Sequence, residues 1–410
     1  MTGWMANEYL LTRRTAMVNR KDYMDMLTRM KDHKVIKVIT GVRRCGKSTL
    51  LQMFQESLMK AGTEEQCCIS VNFEDLRFEK LKEYHRLYEY IMDRLVPGKM
   101  NYIFLDEIQA VPEFQKAVDS LYLMEHVDIY LTGSNAYMFS GELATLLSGR
   151  YIEIRMLPLS FREYYEIVGG EKHAAFQSYY RKGGFPYAAS IQDDMVRTEY
   201  LRGIFHTVLL KDVVERKKIT DVPLLEAVVR FLSDNIGNTV SVKKIADTLT
   251  SSGRKTTTVT IDGYVQALKD AFILYETGRY DIKGKQYLKS LEKYYLVDMG
   301  LRNLILGERT MDVGHIMENI VYLELLRRGY RISIGKLGNL EVDFIAQKED
   351  EKIYYQVAAT VLDPSTYERE FGPLKKISDN YPKYVLSMDE FPMGEDGINQ
   401  VNVIDFLLEE

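Results

Sequence analysis

Nine consecutive residues, Gly41, Val42, Arg43, Arg44, Cys45, Gly46, Lys47, Ser48 and Thr49, carry the first recognisable chemistry in the chain. They match G-x-x-x-x-G-K-[ST] and lie between the β-branched run VIKVIT (35–40) and a helical stretch over 47–61. Gly41 and Gly46 let the backbone curl until successive N–H groups converge. The positive end of the following helix points to the same place, which makes a phosphate cradle. Lys47 has the reach for β- and γ-phosphates, and the Ser48 hydroxyl is a ligand type suited to Mg²⁺. Arg44, Cys45 and Thr49 sit within the same wrapped segment and complete the expected nucleotide-binding set with Gly41, Gly46, Lys47, Ser48 and, from a later strand, Ser134.

The partner chemistry is in NYIFLDEIQ (101–109), an apolar run that ends in two acids. At the carboxyl edge of a strand beside the loop, Asp106 would hold Mg²⁺ together with Ser48, and Glu107 would orient and polarise a water. The run YLTGSN (130–135) presents Ser134 and Asn135 at the next strand's edge, where a polar group can contact a γ-phosphate and the attacking water. Turn chemistry alone also selects Gly, Ser and Asn at such a place. Arg150 falls between a helix (136–149) and a strand (151–156). There it can project a guanidinium into a neighbouring copy's nucleotide, or complement a helix C-terminus.

The elements that must position these groups read as an α/β chain. Strand-like runs at 35–40, 67–73, 101–105, 127–133 and 151–156 alternate with helical stretches at 47–61, 78–95, 112–126 and 136–149, the pattern of a parallel P-loop NTPase sheet. From 159 the pattern turns helical, and the Gly-containing stretch RKGGFPYAAS (181–190) marks the expected first boundary. Helices at 222–236, 241–249 and 259–274 precede strand-like runs at 273–281 and 293–298 joined by the Lys-rich KGKQYLKS, which is the winged-helix order. From Met311 a helix (312–328), strands at 330–335, 341–347, 352–360 and 383–388 and a helix (364–378) suggest a small α/β module. The expected organisation is 1–180 for the ATPase domain, 181–310 for the helical and winged-helix segment, and 311–410 for the tail.

GVRRCGKST, VNFEDL (71–76), FLDEIQ (104–109), LTGSN (131–135), LLSGRYIEIRMLPLSFREYY (146–165) and GGFPY (183–187) together resemble, in order, a prokaryotic AAA+ ATPase family. Its members join the ATPase to a winged-helix segment and a tail similar to PD-(D/E)xK nucleases, of the domain-of-unknown-function-4143 type. The resemblance implies ATP binding and hydrolysis, with Gly46, Lys47 and Ser48 on phosphate and Mg²⁺. It also implies Asp106 in the Mg²⁺ site, Glu107 as the base and Arg150 as an arginine finger. It implies no particular substrate.

Between Ser241 and Tyr295 there are 10 Lys and Arg against 6 Asp and Glu, a basic segment in a chain whose net charge is −5. With Arg254 and Lys255 ahead of a helix and Lys283, Lys285 and Lys289 in the hairpin, this segment is the expected contact for DNA. In the tail, Glu318, Asp343 and Gln356 occupy nuclease-like positions, but Ala358 stands where a lysine is needed. Residues 341–410 hold 16 acids against 6 bases, a surface that repels phosphate. An inactive, nuclease-derived tail is expected. Three cysteines and the lack of a long apolar run point to a cytoplasmic protein with neither disulfide framework nor membrane span. The expectation is a Mg²⁺-dependent ATPase that acts on a macromolecular partner, DNA favoured, with a homo-oligomer as a candidate assembly. The alternatives are a slow, nucleotide-gated switch or scaffold and, behind it, an ATP-regulated nuclease.

Overall fold

Five short apolar runs become five strands: β1 (Ile36–Thr40), β2 (Cys68–Asn72), β3 (Asn101–Asp106), β4 (Val127–Gly133) and β5 (Tyr151–Arg155). The computed structural model describes residues 18–134, 147, 149–307 and 313–409. The strands pair in the order β2-β3-β4-β1-β5, every pair parallel. A parallel sheet needs cover on both faces, which is why β1 and β3 are buried along their whole length. Lys37 sits fully buried in the middle of β1 because its ammonium meets the Asp128 carboxylate on β4.

Helices α1 (Lys21–Met30), α2 (Lys47–Lys60), α3 (Tyr84–Met92) and α4 (Phe114–Tyr122) accompany the sheet. On α2, Leu50, Phe54 and Leu58 recur at helical spacing and are buried. The helix predicted over 78–95 is two pieces, a 3₁₀ stretch Leu76–Leu81 and then α3. Glu83 makes the break: its carboxylate accepts the N–H groups of His85 and Arg86, at 3.0 and 3.1 Å, and so caps a new helix.

The packing divides the chain into two units, Asn19–Met156 with Asp270–Phe272, and Leu157–Lys269 with the chain from Ile273 onward. The sequence places the first boundary at 180, and the division falls earlier for a local reason. Leu159 N–H donates to the Gly184 carbonyl at 2.7 Å, and Ser160 and Glu163 form a reciprocal capping box at the start of α5 (Phe161–Val168). Phe161 and Tyr164 of α5 then pack on Phe176 and Tyr179 of α6 (Lys172–Lys182), with ring centroids 5.1 and 5.2 Å apart. These contacts tie the segment after Met156 to the later helices.

The second unit continues with α7 (Asp194–Thr207), which runs into a π-helical stretch Val208–Glu215, and α8 (Val222–Asp234). After β6 (Thr239–Val240) come α9 (Val242–Ser251), α10 (Thr258–Asp270) and the hairpin β7 (Leu274–Asp281) and β8 (Gln286–Leu296). Strand β8 begins inside the Lys-rich stretch read from sequence as a connector. Then follow α11 (Met299–Leu306), α12 (Val313–Arg327), β9 (Arg331–Leu337), β10 (Leu340–Lys348), β11 (Glu351–Val357), α13 (Pro364–Lys375), β12 (Lys383–Ser387), β13 (Ile398–Asn402) and α14 (Val403–Leu408).

All eight strands of this unit form one mixed sheet in the order β13-β12-β11-β10-β9-β7-β8-β6. The hairpin and the tail are joined by parallel pairing of β7 with β9, Arg279 opposite Ile334 and Asp281 opposite Lys336. Segments 181–310 and 311–410 therefore share a sheet. No helix among the described residues is long and apolar enough to cross a membrane.

Candidate functional site

Parallel strands bring their carboxyl ends to one edge, and in an open α/β sheet that edge holds ligands. Thr40 is level with Gly133, and Asn72 with Asp106, so the ends of β1, β2, β3 and β4 meet there. The segment leaving β1 wraps back on itself before α2. Gly41 has φ +148°, and a Cβ there would lie 2.1 Å from the Met156 carbonyl oxygen. Gly46 has φ +106° and is the residue from which α2 starts. Both positions exclude a side-chain-bearing residue, and both serve the curl that exposes the loop's N–H groups.

Lys47 is buried, with its Nζ donating to the carbonyls of Gly41 at 3.0 Å and Val42 at 3.2 Å. It also lies 3.8 Å from Glu107 Oε1. Cys45 is fully buried, and its carbonyl accepts from Arg20. Arg44, at φ +65°, and Thr49 are exposed on the loop and on the first turn of α2.

The acid pair is held by neighbours on both sides. Asp106 accepts from Thr132 Oγ1 at 2.5 Å and from Asn72 Nδ2 at 2.9 Å. Burial holds its carboxyl above the ordinary range, while hydrogen bonds from Thr132 and Ser48 work against that shift. Ser48 and Asp106 therefore meet, as joint ligation of one divalent cation requires. Glu107 adopts the left-handed region, φ +56° and ψ +46°, an uncommon conformation for a residue with a side chain. Its N–H donates to Thr132 Oγ1 at 2.8 Å, and its Oε2 accepts from Ser134 Oγ at 3.2 Å and from Gln109 Nε2.

The second unit holds an acidic cleft of about 620 Å³, lined by Lys293, Glu318, Glu341, Asp343, Gln356 and Ala358 among others. A β-bulge falls between Val342 and Ile345, and it frees the Asp343 N–H to donate to Gln356 Oε1 at 2.6 Å. Gln356 spends its amide on Glu370 at 2.9 Å. Lys293, from β8, reaches into the cleft with Nζ 2.9 Å from Glu318, 2.9 Å from Glu341 and 3.5 Å from Asp343. Burial opposes the charge on Glu318, yet the Lys293 ammonium holds its carboxyl below the usual value. Burial pushes Asp343 up to about 7. Among the described residues no group of three or more His, Cys, Asp or Glu is disposed to hold a metal ion.

Residues 33–165 match the AAA domain family, and residues 173–312 match a domain of unknown function, DUF8612. The chain is also 39% identical over 401 residues to an uncharacterized protein of Haemophilus influenzae, covering 96% of this chain and 99% of that one. It belongs to that protein's family, and its own residues 33–165 are an AAA domain. An uncharacterized protein of Methanocaldococcus jannaschii is 29% identical over 386 residues, covering 90% of this chain and 85% of that one. Among solved structures, the Walker-type ATPase of Pyrococcus abyssi covers 72% of this chain and 97% of its own, at 16% identity and a TM-score of 0.49. The second matched domain is DUF8612, in place of the type-4143 domain expected from the motifs.

Within the AAA domain, the structure brings Gly41, Cys45, Gly46, Lys47, Ser48, Asp106, Glu107 and Ser134 to one edge of the sheet. Asn135 lies outside the described residues, as does most of the predicted helix 136–149. Arg150 stands at the other end of β1, where its carbonyl accepts the Ile36 N–H at 2.8 Å. Its guanidinium lies 3.6 Å from Asp119 and over the Tyr122 ring. It does not approach its own chain's loop.

Sequence reasoning missed Asn72, Gln109 and Thr132 in the AAA domain and Lys293 in the cleft. Asn72 and Gln109 belong to the quoted motifs VNFEDL and FLDEIQ, so their signal was present. Thr132 likewise belongs to the quoted motif LTGSN, but its link to the acid pair follows only from β4 lying beside β3.

Proposed function

We propose that the protein hydrolyses ATP with Mg²⁺ at the edge formed by the loop 41–49 and the acid pair, and that this cycle governs contact with a macromolecule, DNA favoured. The observation that carries the reading is the meeting of Ser48, Asp106, Glu107 and Lys47 at the mouth of a glycine-built loop.

The residues fit the groups the reading requires. The loop N–H groups and the N-terminus of α2 suit a polyphosphate, and Ser48 with Asp106 would hold Mg²⁺, which neutralises charge on the β- and γ-phosphate oxygens. Lys47, whose ammonium donates to two loop carbonyls, would exchange them for phosphate oxygens. Glu107 would orient the attacking water and accept its proton as the bond from the γ-phosphorus to the bridging oxygen breaks, with the electron pair leaving on ADP.

In an assembly of identical copies, Arg150 of one copy would serve the nucleotide of the next; its place at the start of β1, beside Asp119 and Tyr122, supports that reading. The helices α8, α9 and α10 with the hairpin β7–β8 follow the winged-helix order, and the excess of Lys and Arg over 241–295 suits a phosphate backbone. The tail would act as a structural module. Its Ala358 and the full use of Gln356 by Asp343 and Glu370 argue against nuclease chemistry.

The test is a pair of variants. Lys47→Ala abolishes binding of a fluorescent ATP analogue, and Glu107→Gln retains binding but stops turnover. Parental turnover in Glu107→Gln overturns the mechanism. A second reading, a slow nucleotide-gated switch, is favoured by the ties on both oxygens of Glu107, to Lys47 on one and to Gln109 and Ser134 on the other. Turnover measured with and without duplex DNA separates the two, since a DNA-coupled ATPase accelerates and a switch does not.

A further inference from the structure

The side chain of Gln109 is the feature of the candidate site that the proposed mechanism leaves without a role. Gln109 lies two residues beyond Glu107, in the middle of the short 3₁₀ turn Ile108–Ala110. Its Nε2 donates to Glu107 Oε2 and lies 3.3 Å from Ser134 Oγ. A carboxylate only accepts, so the amide nitrogen must face Glu107 and the amide oxygen must face away. That oxygen, Oε1, is buried and has no hydrogen-bond partner among the described residues. Buried amide oxygens are ordinarily paired, and an orphan at a reaction centre marks the place of a missing donor.

We infer that Gln109 is a second water-holding residue of the hydrolytic site: its amide nitrogen fixes the Glu107 carboxylate, and its amide oxygen accepts a hydrogen bond from the attacking water. The inference rests on the hydrolytic reading above. A water has two O–H bonds. One points to Glu107, which takes the proton as the new P–O bond forms, and the other points to Gln109 Oε1, which keeps its hydrogen bond and takes no proton. With both O–H directions set, the lone pair that attacks phosphorus is aimed as well. Restricting orientation in this way acts on the rate of the chemical step and leaves nucleotide affinity alone. The backbone supports the assignment. The left-handed conformation of Glu107 turns the chain sharply between the two side chains, so that residues 107 and 109 both face Ser134 at the end of β4.

The experiment uses the full-length protein and Gln109→Met, which keeps the length of the side chain and removes both polar atoms. The expected result is a kcat for ATP lowered about 10–100-fold with KM and the affinity for a fluorescent ATP analogue unchanged within twofold. Because both residues act on one water, Glu107→Gln combined with Gln109→Met is no slower in single turnover than Glu107→Gln alone. A parental kcat, a parallel rise in KM, or losses that multiply in the double variant each overturn the inference. Gln109→Glu, equal in size and still an acceptor but unable to donate, covers a failure of the Met variant to fold. Turnover below the parent supports the role, and parental turnover overturns it. Failure of the hydrolytic reading itself would show differently, as parental turnover in Glu107→Gln.

Discussion

Thr132 Oγ1 donates to Asp106 Oδ1 at 2.5 Å and accepts the N–H of the next residue, Glu107, at 2.8 Å. One hydroxyl on β4 thus locks both acids of the pair, and it stabilises the left-handed turn that separates their directions. Thr132→Val keeps the shape and removes both bonds. A buried N–H left unpaired costs about 1–3 kcal/mol, so the urea midpoint falls. The freed acid pair loses its register, and steady-state ATP turnover is expected to drop at least about 10-fold with a higher Mg²⁺ requirement. Unchanged turnover across a Mg²⁺ titration would remove Thr132 from the site.

Arg150 sits at the end of β1 remote from its own loop, so its removal affects turnover only where copies assemble. Arg150→Ala is expected to lower turnover by about 10³-fold at concentrations where the protein associates. Mixing it with Lys47→Ala, each inactive alone, restores part of the rate, because one copy supplies the intact loop and the other the guanidinium. A mixture as inactive as its components denies Arg150 a role in trans.

Lys293 is the counter-charge for buried Glu318. Lys293→Met strands that carboxylate, and breaking a buried pair in this way costs about 3–5 kcal/mol. The urea midpoint therefore falls steeply, and Glu318→Gln introduced into the Lys293→Met background recovers much of it. Losses that simply add in the double variant would show that the two charges do not stabilise each other.

Asp298 caps α11 through the Leu301 N–H at 3.0 Å and accepts the Gly184 N–H at 2.6 Å. Burial nevertheless pushes its carboxyl up to about 6, against the pull of those N–H groups. The folded chain therefore holds a proton that the unfolded chain has already released between about pH 4 and 6. Stability from this group falls as pH rises through that window and levels off above it, a change on the order of 3 kcal/mol. Asp298→Asn, which keeps one of the two acceptor oxygens and carries no titrating proton, should flatten the fall in urea midpoints measured from pH 4 to 7, whatever the offset in the midpoints themselves. A fall of the same size in the variant would place its origin elsewhere.

Strands β1, β3 and β4 of the AAA domain were legible because each is a short apolar run that ends in chemistry: 127–133 is β4 to the residue, and 35–40 and 101–105 differ from β1 and β3 by one. Lys47 and the acid pair were legible because the loop and strand ends carry their spacing in one stretch of chain. What escaped was set by contacts between distant stretches. The end of the expected helix over 112–126 frays, and α4 spans Phe114–Tyr122. Strand β13 and helix α14 were not anticipated, since INQVN alternates weakly and VIDFLL is too short to show a period. Lys293 read as one more basic residue of the hairpin. Only the pairing of β8 in the eight-stranded sheet directs it to Glu318, 25 residues later.

The parallel ladder between β7 and β9 gives the last hundred residues a structural use unrelated to catalysis. A chain that stopped before β9 would leave β7 with a bare row of N–H and C=O groups, an invitation to pair with other chains. Substitutions that empty the acidic cleft of its reactive groups are compatible with this arrangement, but truncation is not. More than half of one continuous sheet would be lost with the tail.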